Sequence, residues 1–327
     1  MPRDGVRLLV SHRRKDGLFH ARFADLPSFL DPDDVLVVND SPTLPAALPA
    51  TSPEGGAMTL HLSTHLPGDL WVVEPRGTSP PGHGTPPFSA GGPSHLALPA
   101  GGAAHLLASY RDSRRLWVAR LELPLPVLDY LARWGAPIRY DYVDREWPID
   151  SYQTIFATPS KLASPGSAEM PSAGRAFTPA VLRALEERGV QVVRLTLHTG
   201  VASAEHDEPP YEEAFAVPWE TASAVNEARE AGRRVIATGT TCVRALESAA
   251  DETGRAVASR GWTDLVVTPQ RGVRLVDALL TGFHEPKASH LLMLEAIAGR
   301  PHLRRAYRAA LEGGYLWHEF GDLHLIL

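Results

Sequence analysis

The stretch from Gly232 to Ala250 constrains the fold more than any other part of the sequence. It starts with an apolar run at Val235–Ala237, passes through Gly239 and two threonines, and continues with helical periodicity. The helical segment has its apolar residues on one face, at Val243, Leu246 and Ala250. This order predicts a buried strand, a tight turn and a helix, which is the repeating unit of α/β proteins.

The turn of this unit has the features of an anion or ligand site. Gly239 lets the backbone approach a ligand closely, and the N–H groups of the first helical turn attract a carboxylate or phosphate. Thr240 and Thr241 add hydroxyl groups, and Arg244 adds a cation one turn into the helix. The same sequence is also typical of a helix cap between two core elements, so both interpretations stay open at this point.

Composition places the chain among globular proteins. With 327 residues, of which 44% are hydrophobic, it can bury a large core, and its length predicts two domains. No apolar run reaches the roughly 18 residues of a membrane span and the N-terminus lacks the apolar core of a signal peptide, so we expect a cytoplasmic protein. The net charge of -6 argues against unspecific nucleic-acid binding but permits a local basic groove.

Cys242 is the only cysteine in the sequence. The chain therefore cannot form an intrachain disulfide or a thiolate metal cluster, and we expect no metal. Two interpretations of Cys242 are open. It is either a reactive thiol at the start of a helix, or a small hydrophobic residue packed in the core.

The pattern of strands and helices predicts an α/β protein with an inserted β-domain. Strands alternate with helices between residues 178 and 280, which is typical of a mainly parallel or mixed layer. Between residues 48 and 121, short apolar pieces alternate with a Pro/Gly/His-rich tract and show no helical period. We predict a main domain of residues 1–47 and 122–327, interrupted by a small all-β domain at 48–121. Its Pro80–Gly92 loop is expected to be mobile.

Local signals predict several individual elements. Thr178 as N-cap, Pro179 at the first helical position and Gly189 past the end delimit one helix. A hairpin is expected near the N-terminus, with its second strand at Phe23–Pro27. Further predicted elements are helices at Glu220–Ala231 and Leu291–Gly299 and a closing strand within Tyr315–Leu327.

Polar residues follow several predicted strands. Asn39 and Asp40 end one strand and His198 ends another. The last predicted strand region adds further candidates, namely Asp277, Thr281, His284 and Lys287. Because α/β proteins bind ligands at the carboxyl ends of their strands, we expect all of these near Gly239. An Asx turn at Asn39 and a hydrogen-bonded rim residue at His198 are the less specific alternatives.

The sequence also resembles a known family through a series of short motifs. These are R-L-L-V, D-L-P, V-N-D, P-L-P, Y-Q-T, P-x-A-G-x-x-F-T, T-L-H-x-G, R-V-I-A-x-G-T-T-x-V-R-x-L-E-S-A-A, V-D-A-L-x-T-x-F-H-x-P-K and a terminal G-D. Their order and spacing from Arg3 to Leu327 resemble the S-adenosylmethionine:tRNA ribosyltransferase-isomerases of queuosine biosynthesis. The resemblance implies a large barrel-like α/β domain with a smaller β-domain inserted.

The resemblance also implies an activity and a set of roles. S-adenosylmethionine would be the co-substrate and ribosyl donor to a 7-aminomethyl-7-deazaguanine in the anticodon loop of tRNA. The product would be epoxyqueuosine, with release of adenine and methionine, and the enzyme is expected to be a monomer. Motif positions assign donor binding to Gly239, Thr240, Thr241 and Arg244. The same motif positions assign acid–base roles or ribose contacts to His198, Asp277 and His284.

Several motif positions depart from the family pattern. Where that pattern has T-R-V-I-P-A-R-L after V-N-D, this chain has S-P-T-L-P-A-A-L and lacks both arginines. Arg175 and Ala176 replace a leucine and a histidine, and Tyr211 stands where a histidine is expected. Three functions stay open: the family activity on tRNA, an S-adenosylmethionine-dependent enzyme of the same fold with another acceptor, and a non-catalytic RNA- or nucleoside-binding protein.

A tRNA acceptor would need a local cluster of cations, because the whole protein is anionic. The available candidates are Arg133, Arg139, Arg145, Lys161, Arg175, Arg271 and Arg274.

Overall fold

The structure is a computed structural model that describes residues 2–13, 17–77, 94–111, 113–140, 143, 145–201, 210–284, 290–317 and 319–327. Its strands are, in chain order, β1 (Arg7–His12), β2 (Gly17–Arg22), β3 (Val35–Asn39), β4 (Ala47–Thr51), β5 (Ala57–Leu66), β6 (Leu70–Gly77), β7 (Ser94–Ala97), β8 (Ala103–Ser109), β9 (Trp117–Glu122), β10 (Gln191–Leu197), β11 (Glu213–Val217), β12 (Val235–Thr238), β13 (Ser259–Thr263), β14 (Ala278–Gly282) and β15 (Leu323–Ile326). The helices are α1 (Val127–Trp134), α2 (Pro179–Glu187), α3 (Trp219–Glu230), α4 (Thr240–Ser248), α5 (His290–Ala298) and α6 (Arg300–Glu312).

Nine strands form one mixed sheet, in the order β13-β11-β10-β3-β12-β14-β15-β1-β2. At its centre β10, β3, β12 and β14 run parallel. The sequence of β3, V-L-V-V-N, is buried throughout, as expected for a parallel strand covered on both faces. The mixed α/β layer predicted from the sequence is therefore confirmed.

Side chains of β3 alternate between two cores. Val35 and Val37 belong to one apolar cluster, and Leu36 and Val38 to the other. Helices α3, α4 and α5 contribute to the first cluster, and α2 contributes to the second. This alternation follows from the two-residue period of a strand. Helix α4 starts directly after the turn that ends β12 and packs in the first cluster.

The strands of residues 47–122 form a closed six-stranded barrel, in the order β4-β5-β6-β9-β8-β7. Leu48, Leu60, Leu62 and Leu106 are at most 1% exposed and belong to its core. The barrel therefore lies in the middle of the chain, whereas the main α/β part, expected to be barrel-like, contains an open sheet with β13 and β2 at its edges. The proposed domain boundaries stay a prediction, and Pro80–Gly92 lies outside the described residues.

The local predictions were partly right. Helices α2 and α3 are confirmed, and Thr178 caps α2 by accepting a hydrogen bond from the Val181 N–H at 3.4 Å. The predicted strand at Phe23–Pro27 is wrong, because this segment lies in a 3-10 helix whose start is capped by Asp25. Among the described residues, no helix is both long and apolar enough to span a membrane.

Candidate active site at the carboxyl ends of the parallel strands

The four central parallel strands end at one edge of the large sheet. His198 follows β10, Asn39 ends β3, Gly239 follows β12, and His284 follows β14. The parallel registers place these strand ends side by side. The loop before β15 reaches the same edge, because Leu323 of the antiparallel β15 pairs with Gly282 of β14. The structure thus brings most of the candidate residues together, at the place where open α/β sheets bind ligands.

The turn between β12 and α4 leaves the helix N-terminus without a side-chain cap. Gly239 has φ 89° and ψ 159°, a conformation that is essentially restricted to glycine. A Cβ atom at this position would lie 3.3 Å from the Cβ of Ala173, so the backbone is closely covered on one side. The first-turn N–H groups of α4, together with the positive end of the helix dipole, suit a carboxylate or another anionic group.

Asn39 uses its amide to join strands rather than to face a ligand. Its Nδ2 group donates to the Leu197 carbonyl at 2.8 Å, and its Oδ1 accepts from the Leu197 and Ser41 N–H groups at 3.1 Å each. A longer contact of 3.3 Å reaches the hydroxyl of Thr241. Asn39 therefore positions Thr241 and ties β3 to β10, and it accepts from Ser41 as the Asx-turn alternative anticipated.

Asp40 follows Asn39 and is half-buried at the same edge. Its carboxylate accepts from the hydroxyl of Thr196 at 2.6 Å and from that of Thr158 at 3.4 Å. A carboxylate has about four acceptor positions, so these two contacts leave acceptor capacity for a ligand hydroxyl.

His198 is buried between two serines. Its Nδ1 lies 2.7 Å from the Oγ of Ser41, and its Nε2 lies 2.8 Å from the Oγ of Ser160. The Ser160 hydroxyl donates to the Ser164 carbonyl at 2.6 Å, so its oxygen accepts the Nε2 proton and Nδ1 accepts from Ser41. Burial lowers the pKa of His198 to about 4. The side chain is therefore neutral near pH 7, and its two hydrogen bonds hold the loops together.

His284 is partly exposed and forms a second, more accessible histidine site. Its Nε2 lies 3.1 Å from the hydroxyl of Thr281, and its backbone N–H donates to the Tyr307 hydroxyl at 3.2 Å. The ring stacks on His290, with centroids 4.6 Å apart and an interplanar angle of 7°. Burial, followed by the neighbouring His290, lowers the pKa of His284, so the imidazole is neutral near pH 7 and is a proton acceptor of reduced basicity.

Arg244 is buried, and its guanidinium group contacts other groups of the protein. It pairs with Glu213 and donates to the backbone carbonyls of Leu265, Thr263 and Tyr211 at 3.1, 2.9 and 3.2 Å. Glu213 in turn accepts from the backbone N–H of Gly200 at 3.0 Å, in the loop after β10. Arg244 therefore braces that loop, and its geometry does not favour the donor-binding role expected from the sequence.

Three other candidates have different outcomes. The expectation that Asp277 lies at the same edge is wrong, because it precedes β14 and bonds to Val235 at the start of β12, at the opposite edge. Lys287 lies outside the described residues. Cys242 is buried in the core and burial raises the pKa of its thiol, which favours the core interpretation over a reactive thiol.

Two glutamates at this edge were not predicted from the sequence. Glu319 lies in the loop before β15, and Glu169 lies beside the end of β10, where its carbonyl accepts from Thr199 at 2.6 Å. The carboxylate of Glu169 accepts from the Tyr140 hydroxyl. Glu319 has a buried Oε2 with no hydrogen-bond partner among the described residues. Burial, followed by the charge of Glu169, raises the pKa of Glu319 to about 8, so it is protonated at neutral pH.

Two of the predicted tRNA-binding arginines are occupied elsewhere. Arg271 donates to the buried carboxylate of Glu247 at 3.0 Å, and the backbone N–H of Arg274 donates to the same group at 2.9 Å. A basic surface that the sequence analysis missed lies on α6, where four arginines are exposed: Arg300, Arg304, Arg305 and Arg308. The same helix carries Tyr307, which contacts His284, so this α6 basic face borders the candidate site.

Comparisons with known proteins agree over the full chain. The sequence profile of a family described as "Queuosine biosynthesis protein" matches residues 1–326. The chain is 39% identical to the S-adenosylmethionine:tRNA ribosyltransferase-isomerase of Thermus thermophilus over 337 residues, covering 100% of this chain and 94% of the relative. The relative of the same name from Moorella thermoacetica is 36% identical, with the same coverage. The crystal structure of a Thermotoga maritima S-adenosylmethionine tRNA ribosyltransferase superposes with a TM-score of 0.54 at 29% identity, covering 100% of this chain and 94% of that one.

Proposed function

Because the chain belongs to the queuosine biosynthesis protein family, we propose that it transfers the ribosyl group of S-adenosylmethionine to tRNA. The acceptor would be a 7-aminomethyl-7-deazaguanine in the anticodon loop. The transferred group would rearrange to epoxyqueuosine, and adenine and methionine would be released. The full-length similarity to proteins named for this activity supports the proposal.

One observation about this chain carries the proposal. The Gly239 turn, the carboxylate of Asp40 and the neutral His284 all lie where the parallel strands end, at one edge of the sheet. The Gly239 turn suits the methionine carboxylate of the donor, and Thr240 and Thr241 add hydroxyl groups beside it. Asp40 has acceptor capacity for the ribose hydroxyls.

The reaction needs one group that accepts a proton and one that donates a proton. S-adenosylmethionine supplies a sulfonium that acidifies the neighbouring ribosyl carbon. His284 is neutral, is partly exposed and is oriented by Thr281, so we assign it as the base. The departing adenine must be protonated, and Glu319 is the carboxyl at this edge that burial keeps protonated near pH 7. His198 is assigned a positioning role, because both of its nitrogens are already bonded to serines.

The α6 basic face supports tRNA as the partner. Arg304 and Arg308 are exposed, one helical turn apart, and form no ion pair with any described residue. Unneutralised guanidinium groups on an anionic protein suit phosphates of an RNA backbone. Their helix borders His284, so a tRNA held there would reach the candidate site.

A second function has some support from the same edge. Pro42 and Ala47 stand where the family pattern has arginines, and Ala47 is buried in the barrel core. The chain therefore lacks two cations that the pattern would offer to an acceptor. An S-adenosylmethionine-dependent enzyme with a different, non-tRNA acceptor would be consistent with this loss.

One incubation series distinguishes the two functions. The protein is supplied with S-adenosylmethionine and either tRNA bearing the aminomethyl-deazaguanine, the same tRNA with an unmodified guanine, or no tRNA, and released adenine is quantified by chromatography. We expect adenine only with the modified tRNA. Adenine release that is the same without tRNA would contradict the tRNA proposal, and so would the absence of release with the modified tRNA.

A further inference from the structure

A layer of aromatic rings and arginines lies beside the candidate site and has no part in the proposed acid–base roles. The rings of Trp147 and Phe320 stack with centroids 5.9 Å apart and an interplanar angle of 23°. The guanidinium carbon of Arg145 lies 3.8 Å from the Trp147 centroid, and that of Arg175 lies 4.4 Å from the Phe320 centroid. We call these four residues, with Arg3, the stacking platform.

The platform is held rigidly on one side. Tyr152, which is 2% exposed, packs its ring against Phe320 at 5.1 Å and 84°. Phe320 therefore has a fixed orientation, while Trp147 and Phe320 both stay partly exposed and Arg145 is exposed. Trp147 packs against this fixed ring and carries only the exposed side chain of Arg145 in addition, so a planar group that replaces the guanidinium would stack at little entropic cost.

The platform belongs to the same edge of the sheet as the candidate site. Phe320 follows Glu319 in the loop before β15, whose first residue pairs with the end of β14. Arg175 follows the short turn Ser172–Gly174, and Ala173 of that turn covers Gly239. A ligand on the platform would therefore be a neighbour of a donor bound at the Gly239 turn.

The cations of the platform have no carboxylate partner among the described residues. Arg175 has a buried Nε for which the described residues provide no acceptor, and burial, followed by the charge of Arg3, lowers the pKa of Arg175 to about 10. Arg3 donates at 2.5 and 2.6 Å to the carbonyls of Gln153 and Asp150, which flank Tyr152 in the sequence, and Tyr152 packs against the Phe320 ring that Arg175 covers. Two neighbouring guanidinium groups that have no counter-ion in the described part of the chain, in a protein of net charge -6, are suited to an anionic ligand.

We propose that the platform binds one unpaired nucleotide of the tRNA substrate, with its base stacked on Trp147 and its phosphate between Arg175 and Arg3. Sequence-selective proteins recognise single-stranded RNA by stacking splayed bases on aromatic rings and guanidinium planes. Because Arg145 is exposed, its guanidinium can leave the face of Trp147 to the base and contact a neighbouring phosphate. The inference rests on the proposed function, because it assumes an RNA acceptor, and it places a neighbour of the modified nucleotide on this platform.

The test measures RNA affinity of the full-length protein by fluorescence anisotropy, with a labelled anticodon stem-loop as the probe, over a series of salt concentrations. Trp147→Ala should weaken binding about 5- to 150-fold, which corresponds to the loss of one stacked base. Trp147→Phe should restore most of the affinity because it keeps a ring, whereas Trp147→Leu should not. Arg175→Gln should reduce the slope of log affinity against log salt by about 0.7, which corresponds to one lost phosphate contact on a single strand.

Matched controls lie away from the platform. Trp219→Ala removes a tryptophan that is 69% exposed at the start of α3, and Arg183→Gln removes an exposed arginine of α2. Both should bind RNA like the unchanged protein. Calorimetric affinity for S-adenosylmethionine should also be unchanged in Trp147→Ala, which shows that the variant is folded.

The outcomes separate this inference from the proposed function. If the unchanged protein releases adenine with modified tRNA but Trp147→Ala and Arg175→Gln bind the stem-loop as tightly and with the same salt slope, the platform is not a nucleotide site and the function stands. If the unchanged protein does not bind the stem-loop at all, both the inference and the tRNA function are contradicted.

Discussion

Replacing Glu319 with glutamine should make the protein more stable and less active. The carboxyl group ionises near pH 4.5 in an unfolded chain, but burial and the charge of Glu169 raise its pKa to about 8 in the folded protein. A group whose pKa is higher in the folded state contributes its full stability below pH 4.5 and loses it as the pH rises towards 8. Glutamine resembles the protonated acid and cannot ionise, so Glu319→Gln removes this loss.

The magnitude follows from the two pKa values. At about 1.4 kcal/mol for each tenfold change, the span from 4.5 to about 8 corresponds to about 5 kcal/mol as an upper value at pH 9. Glu319 is partly exposed, so solvent screening reduces the expected gain to about 2 to 4 kcal/mol. At pH 5 the same linkage gives a difference in unfolding free energy of less than about 1 kcal/mol. The difference in unfolding free energy between variant and unchanged protein should therefore grow between pH 5 and 8 and level off above.

The assay is urea unfolding followed by circular dichroism at half-unit pH intervals from 5 to 9. Glu187→Gln, which changes an exposed glutamate of α2, is the control and should show no such dependence. Activity should change in the opposite direction, because loss of a general acid lowers adenine release by about 100- to 10,000-fold. A stability difference that is independent of pH would refute the argument that Glu319 is protonated in the folded protein. Unchanged adenine release would refute its role as proton donor.

Further substitutions test other parts of the site. Gly239→Ala should lower the free energy of unfolding by about 1 to 3 kcal/mol, because φ is 89° there and the new methyl group meets Ala173 at 3.3 Å. Calorimetry should show weaker S-adenosylmethionine binding. Unchanged affinity would remove this turn from the donor site. Arg244→Met should destabilise the protein by about 3 to 5 kcal/mol in urea unfolding, because it leaves the Glu213 carboxylate, which is only 14% exposed, without its counter-ion. A smaller loss in a double variant with Glu213→Gln would attribute the effect to this pair. Changing both Arg304 and Arg308 to glutamine should reduce the salt slope of tRNA binding by about 1.4 to 1.8, and a slope equal to that of Arg183→Gln would show that the α6 basic face does not contact phosphates.

Sequence periodicity and turn chemistry predicted the centre of the fold because both are local. The run V-I-A-T, the glycine with positive φ and the amphipathic segment after it determine β12, its turn and α4 without any distant contact. Helix α2 was predicted for the same reason, since Thr178, Pro179 and Gly189 lie within its own ends. Three of the six barrel strands were also predicted, because β5, β6 and β9 contain the short apolar runs seen in the sequence.

The candidate site depended on information that no local pattern contains. Asp277 and His284 flank the same strand, and only the direction of β14 shows that Asp277 lies at the opposite edge of the sheet. Arg244 has the spacing of a ligand-binding residue, but the packing of β11 against α4 gives it Glu213 as a partner.

Glu169 and Glu319 are distant in sequence, and no local sequence pattern identifies either residue as part of a site. The sequence by itself determined the strand, turn and helix units and the edge of the sheet at which most of the candidate residues meet. Tertiary structure decided which polar groups at that edge are paired and which remain free, because the pairing, burial and pKa of a side chain are set by neighbours that are remote along the chain.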